Sequence, residues 1–387
     1  MNAHLPSDLK QMQSLPLEAK IRMTEDRIRA WYETWKRFEI FDEETGKTRF
    51  ETIAVEGWDE PPLKDSEYVQ SVYDGQVYVS VSGKDSTVLK HIIDRLYSDV
   101  PALYVNTGLE YPEIQKFWKG VKAGKCDCFN ADIKIVRPRL QFDEVLKKYG
   151  FPVATKEQAA FIQEYLTTKS EKLKNIRLNG NKWGRGKISN CWLCLIDAPF
   201  LVSDKCCDIM KKEPAKKYEK QTGRKAFIGT LAEESKQRES NWIKYGCNAF
   251  GKDRPTSQPL SFWTEQDILH YIKKYDVPYC SVYGDIQVKP HGEDVLEGQI
   301  DLIDYLGCYE PGDTLETTGC DRTGCIFCMF GCHLEKEPNR FQRLKQTHPR
   351  QYEYCIGGGE MVDGKWQPNK QGLGLGHVLD YIGVKYK

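Results

Sequence analysis

QVYVSVSGKDSTVLKHIIDRLY, residues 76–97, changes its period in the middle. Residues 76–81 (QVYVSV) are a short β-branched run, the pattern of a buried strand. From Ser86 onward Val88, Leu89, Ile92, Ile93 and Leu96 recur on one helix face. Between the two lies Ser82-Gly83-Lys84-Asp85-Ser86-Thr87. Small residues there let backbone N–H groups approach an anion, and the helix N-terminus adds unpaired N–H groups and its positive dipole end. Lys84 can neutralise phosphate charge, and Ser86 and Thr87 can donate hydroxyls. The loop is not a Walker A motif: Tyr78 stands where its first glycine belongs, and Asp85 follows the lysine in place of Ser or Thr. The competing reading of these six residues is an ordinary strand–helix turn with a polar cap.

The flanking sequence repeats the alternation. ALYVN (102–106) predicts a second strand, and residues 111–123 place Ile114, Phe117, Trp118 and Val121 on one helix side. DIKIVRP (132–138) predicts a third strand, stopped by Pro138, and FIGT (227–230) another. In residues 259–275 Thr264 is the expected N-cap, with Asp267 three positions on and Ile268, Leu269 and Ile272 forming the apolar face. Strand–helix–strand–helix–strand predicts an α/β fold with a doubly wound, mostly parallel sheet. Upstream, residues 16–37 read as a helix carrying Ile21, Ile28, Trp31, Tyr32 and Trp35. Residues 38–70 read as an acidic, irregular surface insertion. The expected division is 1–70 for the N-terminal helix and insertion, 71–280 for the nucleotide-binding α/β domain, and 281–387 for an irregular Cys-rich C-terminal lobe. Residues 357–376 are turn-rich and are expected to be mobile.

Bulk properties narrow the class. A chain of 387 residues with 40% hydrophobic and 29% charged residues is ordinary for two or three globular units. Its formal net charge of zero gives no global basic field for nucleic acid. No secretory signal and no apolar run of membrane-spanning length is found, so a cytoplasmic protein without a membrane partner is expected. In a reducing compartment 14 cysteines point to metal binding or catalysis rather than to disulfides.

With these segments in order, the chain resembles the adenine-nucleotide α-hydrolase (PP-loop) superfamily, and most closely its phosphoadenosine phosphosulfate (PAPS) reductase family. Ser82 to Ser86 resembles the pyrophosphate loop S-G-G-x-D-S, with one glycine missing. VNTGLEYPE (105–113) is similar to D-T-G-x-x-F/Y-P-E, with Asn106 in place of Asp. IGTLAEESKQR (228–238) is similar to G-x-R-x-x-x-S-x-x-R: Gly229, Ser235 and Arg238 match, and Leu231 replaces the first Arg. PLSFWTEQDILHYI is similar to P-L-x-x-W-T-x-x-D-V-x-x-Y. The resemblance covers about residues 72–335. It implies an adenine-nucleotide site made by Ser80, Ser82, Gly83, Lys84, Asp85, Ser86, Thr87, Asn106, Thr107, Gly108, Gly229, Ser235 and Arg238.

It also bears on the cysteines. In the iron–sulfur members a Cys-Cys pair and a distant Cys-x-x-Cys hold one 4Fe–4S cluster beside the sulfonucleotide. Cys206-Cys207 and Cys325-Ile-Phe-Cys328 repeat those elements in order, with an insertion expected between 285 and 318. Zinc is the alternative, since it too takes four thiolates at C-x-x-C spacing. GCDRTGCIFCMFGC (319–332) would permit an all-local site of Cys320, Cys325, Cys328 and Cys332, and Cys191-Trp-Leu-Cys194 could complete either. Cys247, Cys280 and Cys308 read as small buried hydrophobes. Cys126 and Cys128 have no assigned role.

Two chemistries share the scaffold. In a reductase, a cysteine thiolate attacks the sulfur of adenosine phosphosulfate (APS) or PAPS; the family carries it in a Glu-Cys-Gly-x-His tail. Here the candidate is Cys355 in YEYCIGG, with no matching His. In an ATP pyrophosphatase that thiolates tRNA or DNA, an acceptor oxygen attacks the α-phosphorus of ATP. Lys84 and Asp85 then act at the phosphates, and Mg²⁺ bridges them with Asp85 as partner. A thiol or sulfur donor protein and a nucleic-acid substrate are candidate partners of that reading. A third reading is a non-catalytic regulatory protein that binds nucleotide and cluster. Lys134, Arg137, Arg139 and the basic run 211–225 are candidate phosphate-backbone contacts, weighed against solvated surface.

Overall fold

The structure is a computed structural model that describes residues 4–55, 59–289 and 313–387. Cys308 and most of the expected 285–318 insertion lie outside the described residues. In chain order the helices are α1 (Pro6–Gln13), α2 (Leu17–Thr34), α3 (Lys84–Leu96), α4 (Pro112–Lys122), α5 (Phe142–Tyr149), α6 (Lys156–Thr167), α7 (Glu171–Asn179), α8 (Glu213–Thr222), α9 (Lys236–Tyr245), α10 (Glu265–Tyr275), α11 (Arg340–Thr347), α12 (Pro349–Ile356) and α13 (Leu375–Tyr381). The strands are β1 (Trp35–Asp42), β2 (Lys47–Ala54), β3 (Glu67–Tyr73), β4 (Val77–Val81), β5 (Ala102–Val105), β6 (Ile133–Val136), β7 (Lys225–Ile228), β8 (Asn248–Ala249), β9 (Thr256–Ser257), β10 (Ile286–Val288), β11 (Leu315–Thr317), β12 (Glu360–Val362) and β13 (Lys365–Gln367).

The chain forms two compact units. The first comprises Met1–Val105, Tyr111–Val136 and Ala215–Thr323; the second comprises Asn106–Glu110, Arg137–Pro214 and Gly324–Lys387. These are not the contiguous cuts at 70 and 280 read from the sequence. The chain returns to the first unit because β7 pairs with β4.

In the first unit a six-stranded sheet runs β6-β5-β4-β7-β9-β8. Its pairs are parallel except β8 with β9, so the fold is α/β and doubly wound, with a mostly parallel sheet. Val77, Tyr78 and Val79 of β4 are wholly buried, as a central strand covered on both faces requires. Val88, Leu89, Ile92 and Ile93 of α3 join Val77 and Val79 in one core cluster with Trp118 of α4 and Trp263, and Tyr78 packs in another with Leu103 and Tyr218. Thr264 caps α10 by accepting the Asp267 amide in a capping box, as its sequence predicts.

The segment 38–70 is not irregular. Strands β2-β1-β3 make a separate antiparallel sheet, with Trp35, Phe38 and Ile40 buried and Phe50, Tyr68 and Val72 exposed. Charged residues interleave with the apolar ones, and a sheet with one solvated face keeps only part of a period-two signal.

The second unit holds α5–α7 and α11–α13. Residues 357–376, expected to be mobile, form the β12–β13 hairpin; the Trp366 amide donates to the Pro199 carbonyl and its indole to the Gly374 carbonyl. Among the described residues no helix is long and apolar enough to cross a membrane.

Candidate functional site

In the first unit, β4 ends at Val81 and α3 begins at Lys84, so the loop sits at the carboxyl end of a central strand. That is where open α/β sheets place ligands. Ser86 closes the turn on itself: its hydroxyl oxygen accepts the Ser82 amide at 2.7 Å, and the hydroxyl donates to the Gly83 carbonyl at 2.7 Å. The Thr87 hydroxyl also donates to Gly83, at 3.2 Å. The Trp118 indole holds the Ser82 carbonyl at 2.7 Å. Ser80 lies within β4, between Leu103 and Ile228.

Two glycines permit close approaches. A Cβ on Gly83 would lie 2.5 Å from the Tyr283 hydroxyl and 2.8 Å from the Thr323 hydroxyl. A Cβ on Gly229, just after β7, would lie 2.7 Å from Ser86 Cα and 2.8 Å from its amide nitrogen. The start of α3 therefore packs directly on the end of β7. The match of Gly229 to the family motif thus has a steric cause.

The charged residues are arranged less simply than the sequence implied. Lys84 is buried; its ammonium pairs with Glu265 at 2.6 Å and donates to the Asp321 carbonyl. Its amide donates to the Tyr283 hydroxyl at 3.0 Å. Lys84 is thus held by a carboxylate. Asp85 has a buried Oδ1 with no hydrogen-bond partner in the structure. Burial raises its carboxyl above the usual range, while Lys84, Arg322 and Arg238 oppose that rise. Arg238 pairs with Glu234, and Arg322 pairs with the same carboxylate at 2.8 Å. Burial pushes the Arg238 guanidinium down and Arg322 adds to it, with Asp85 acting the other way. Two guanidiniums beside the loop offer forked N–H donors that suit an anion. Ser235 caps α9, accepting the Arg238 amide at 3.3 Å. Ser82–Thr87, Gly229, Ser235 and Arg238 are therefore gathered in one unit, as the sequence reading required. Arg322, Glu234, Glu265 and Tyr283 were missed. Arg322 sits among the cysteines of 319–332, where no nucleotide motif flags it.

Asn106, Thr107 and Gly108 follow β5 and group with the second unit. There the Thr107 hydroxyl donates to Glu110 at 2.7 Å, and the Gly108 amide donates to the Asn106 side chain at 3.2 Å.

The second unit also gathers Cys206, Cys207, Cys325 and Cys328, which line one small cavity of about 20 Å³ with Met210 and Lys211. The Cys206 and Cys207 sulfurs are 4.0 Å apart. Hydrogen bonding from Cys206 lowers the Cys207 thiol, and Lys156 and Lys211 favour its thiolate. Cys206 moves up correspondingly, through Cys207, burial, and the nearby Cys328 and Cys325. Burial pushes the Cys325 thiol up to about 11. Cys206 and Cys325 are thus held toward the thiol while Cys207 favours its thiolate, a conflict that a cationic centre would relieve. Among the described residues no three His, Cys, Asp or Glu side chains stand close enough to grip a single metal ion. Four sulfurs on two short segments line that one cavity, the number of thiolates an iron–sulfur cluster takes.

The other cysteines separate from this set. Cys332 is buried near Arg340 and Glu335, Cys320 belongs to the first unit, and Cys191 and Cys194 are exposed. Cys126 is partly buried and Cys128 exposed; Cys247 and Cys280 are buried, as expected. Cys355 does not fit a nucleophile. It is wholly buried on α12, and burial pushes its thiol well above the ordinary value. An attacking thiol must be exposed and partly ionised. The candidate phosphate-backbone contacts are partly spent: Lys211 is turned to the thiols, Lys212 pairs with Asp208, Lys134 with Asp132 and Arg139 with Glu213.

A mostly parallel sheet with a short strand-to-helix loop at the carboxyl end of its central strand defines a doubly wound α/β protein. Residues 76–187 and 195–329 match the phosphoadenosine phosphosulfate reductase domain, and the chain belongs to that family. A search of curated proteins finds no relative. Among solved structures the chain is similar to the phosphoadenylyl-sulfate (PAPS) reductase from Candida auris, in its phosphate complex. The identity is 15%, over 53% of this chain and 75% of that chain, with a TM-score of 0.30.

Proposed function

We propose that the chain is an enzyme that binds an adenine nucleotide with its phosphates at the start of α3 and acts on it in sulfur chemistry. Reduction of a sulfonucleotide, APS or PAPS, is the first reading, because it is the activity for which the family is named. The observation that carries the nucleotide site is the placement of Arg238 and Arg322 beside the buried Asp85 of the Ser82–Thr87 loop. Arg238 and Arg322 bind the phosphates, the loop amides orient them, and Ser86 keeps the turn closed. Cys206, Cys207, Cys325 and Cys328 hold a 4Fe–4S cluster, which when bound supplies a cationic, electron-accepting centre.

A second reading is favoured by Asp85 and Cys355. An unpartnered carboxylate oxygen at the loop is a site for Mg²⁺, and the buried Cys355 leaves the reductase without its expected thiol. In that reading an acceptor oxygen attacks the α-phosphorus of ATP, the α–β bond breaks, and pyrophosphate leaves. Two assays run side by side separate the readings. Sulfite release from APS or PAPS with a dithiol reductant supports the first. Exchange of labelled pyrophosphate into ATP with Mg²⁺ supports the second. Binding of adenine nucleotide without turnover in either would leave a regulatory protein and contradict the enzyme.

A further inference from the structure

Residues 168–187, TKSEKLKNIRLNGNKWGRGK, carry seven cations against one carboxylate in a chain whose net charge is zero. Local excess of this size is the electrostatic footprint of a polyanion site when its charges are free. Most of them are. Glu171 pairs with Lys174, and Arg177 pairs with Glu164. Lys169, Lys172, Lys182, Arg185 and Lys187 are exposed, and no carboxylate of the described residues pairs with them.

An aromatic ring lies within this basic stretch, beside Lys182. Trp183 is 69% exposed, the most exposed aromatic side chain among the described residues. Its position is built. Asn181 accepts the Trp183 and Arg185 amides on its side chain at 2.9 and 3.0 Å, and its own amide donates to the Arg185 carbonyl at 2.8 Å. Arg177 fastens the loop to α7, donating to the Gly186 carbonyl at 2.6 Å while its carbonyl accepts the Ile188 amide at 2.7 Å. The Lys182 ammonium lies 4.2 Å from the Trp183 ring centroid.

We propose that α7 and the turn 180–187 form a binding surface for single-stranded nucleic acid, with Trp183 as the stacking platform for an unpaired base. Lys169, Lys172, Lys182, Arg185 and Lys187 track the phosphates. A ring flanked by free cations is the arrangement by which proteins bind single strands without reading sequence. An anionic membrane is disfavoured by the same observations: α7 is nine residues long with three apolar ones, Leu173, Ile176 and Leu178, short of the apolar face an interfacial helix inserts, and the patch offers one ring. The surface lies within one unit and does not depend on what the nucleotide site catalyses.

The test is equilibrium binding of fluorescein-labelled 16-nucleotide poly-U and poly-dT to the full chain, read by anisotropy from 50 to 300 mM salt. Five phosphate contacts predict a log–log salt slope of about −3.5. Trp183→Ala should weaken binding about 5- to 150-fold. Lys182→Gln with Arg185→Gln should make the slope shallower by about 1.4. Trp183→Phe, which keeps a ring, should retain most of the affinity. Unchanged affinity in Trp183→Ala, or a slope indifferent to the double variant, overturns the proposal. So does preferential binding to phosphatidylserine vesicles, or equal affinity for duplex, which offers no unpaired base.

Discussion

Gly229→Ala should damage the phosphate loop by sterics alone. The added carbon would sit 2.7 Å from Ser86 Cα, 2.8 Å from Ser86 N and 3.0 Å from Asp85 C, where ordinary contact begins at 3.4 Å. All three atoms are backbone, so no side chain can rotate away; the start of α3 must retreat by about 0.7 Å, and such overpacking costs about 1–3 kcal/mol. Gly120→Ala is the control. Its Cβ would meet nothing within 4 Å, inside α4, and Ala there should gain about 0.5–1 kcal/mol in helix propensity. Urea denaturation should therefore separate the two variants by about 1.5–4 kcal/mol, in opposite directions from wild type. Titration with ATP or PAPS should show at least about a tenfold loss of affinity in Gly229→Ala, a change of about 1.4 kcal/mol, and none in Gly120→Ala. A Gly229→Ala protein of wild-type stability and affinity would refute the close packing of β7 on α3 as the reason for that glycine.

Anaerobically purified protein should contain about four irons per chain, lost in a Cys325→Ser, Cys328→Ser double variant that still binds nucleotide; stoichiometric zinc instead would remove the cluster. Cys355→Ala should keep its turnover, whereas Cys355→Ser, which leaves a hydroxyl in a wholly buried site, should lose about 1–3 kcal/mol of stability. Loss of turnover in a folded Cys355→Ala protein would restore Cys355 as nucleophile. His91 is pushed down to about 4 by burial and then by Arg95, and its ring nitrogen lies 2.9 Å from the Tyr271 hydroxyl. Because the unfolded chain takes up the proton first, this contribution is complete above about pH 6.5 and falls away as pH drops toward 4. It is worth at most about 3 kcal/mol for a fully shielded group and less for this one. Thermal melts between pH 7.5 and 4 should show a shallower decline in His91→Gln, and an unchanged decline would assign the acid sensitivity elsewhere.

The parallel sheet was legible because its strands are buried on both faces: Val77, Val79 and Leu103 form apolar runs that solvent-facing residues do not interrupt. The sheet β2-β1-β3 was missed for the opposite reason, since half of its residues face water and carry charge. The loop residues were legible as a motif, yet the partners of Lys84 were not, because Glu265 lies 181 positions away and is brought near only by folding. Arg322 was hidden in a cysteine-rich stretch whose spacing drew attention to sulfur. The burial of Cys355 was not legible, because the sequence offers YEYCIGG with no sign of which face of α12 is covered.

The anion site at the start of α3 is tested most directly by calorimetric titration of APS, PAPS and ATP into wild type and into an Arg238→Ala, Arg322→Ala variant. Hydrogen bonds to charged groups contribute about 1.5–3 kcal/mol each, so binding to wild type and a loss of at least about tenfold in the variant is the expected result. Equal affinity in the two proteins, or no binding of any adenine nucleotide to wild type, would contradict it.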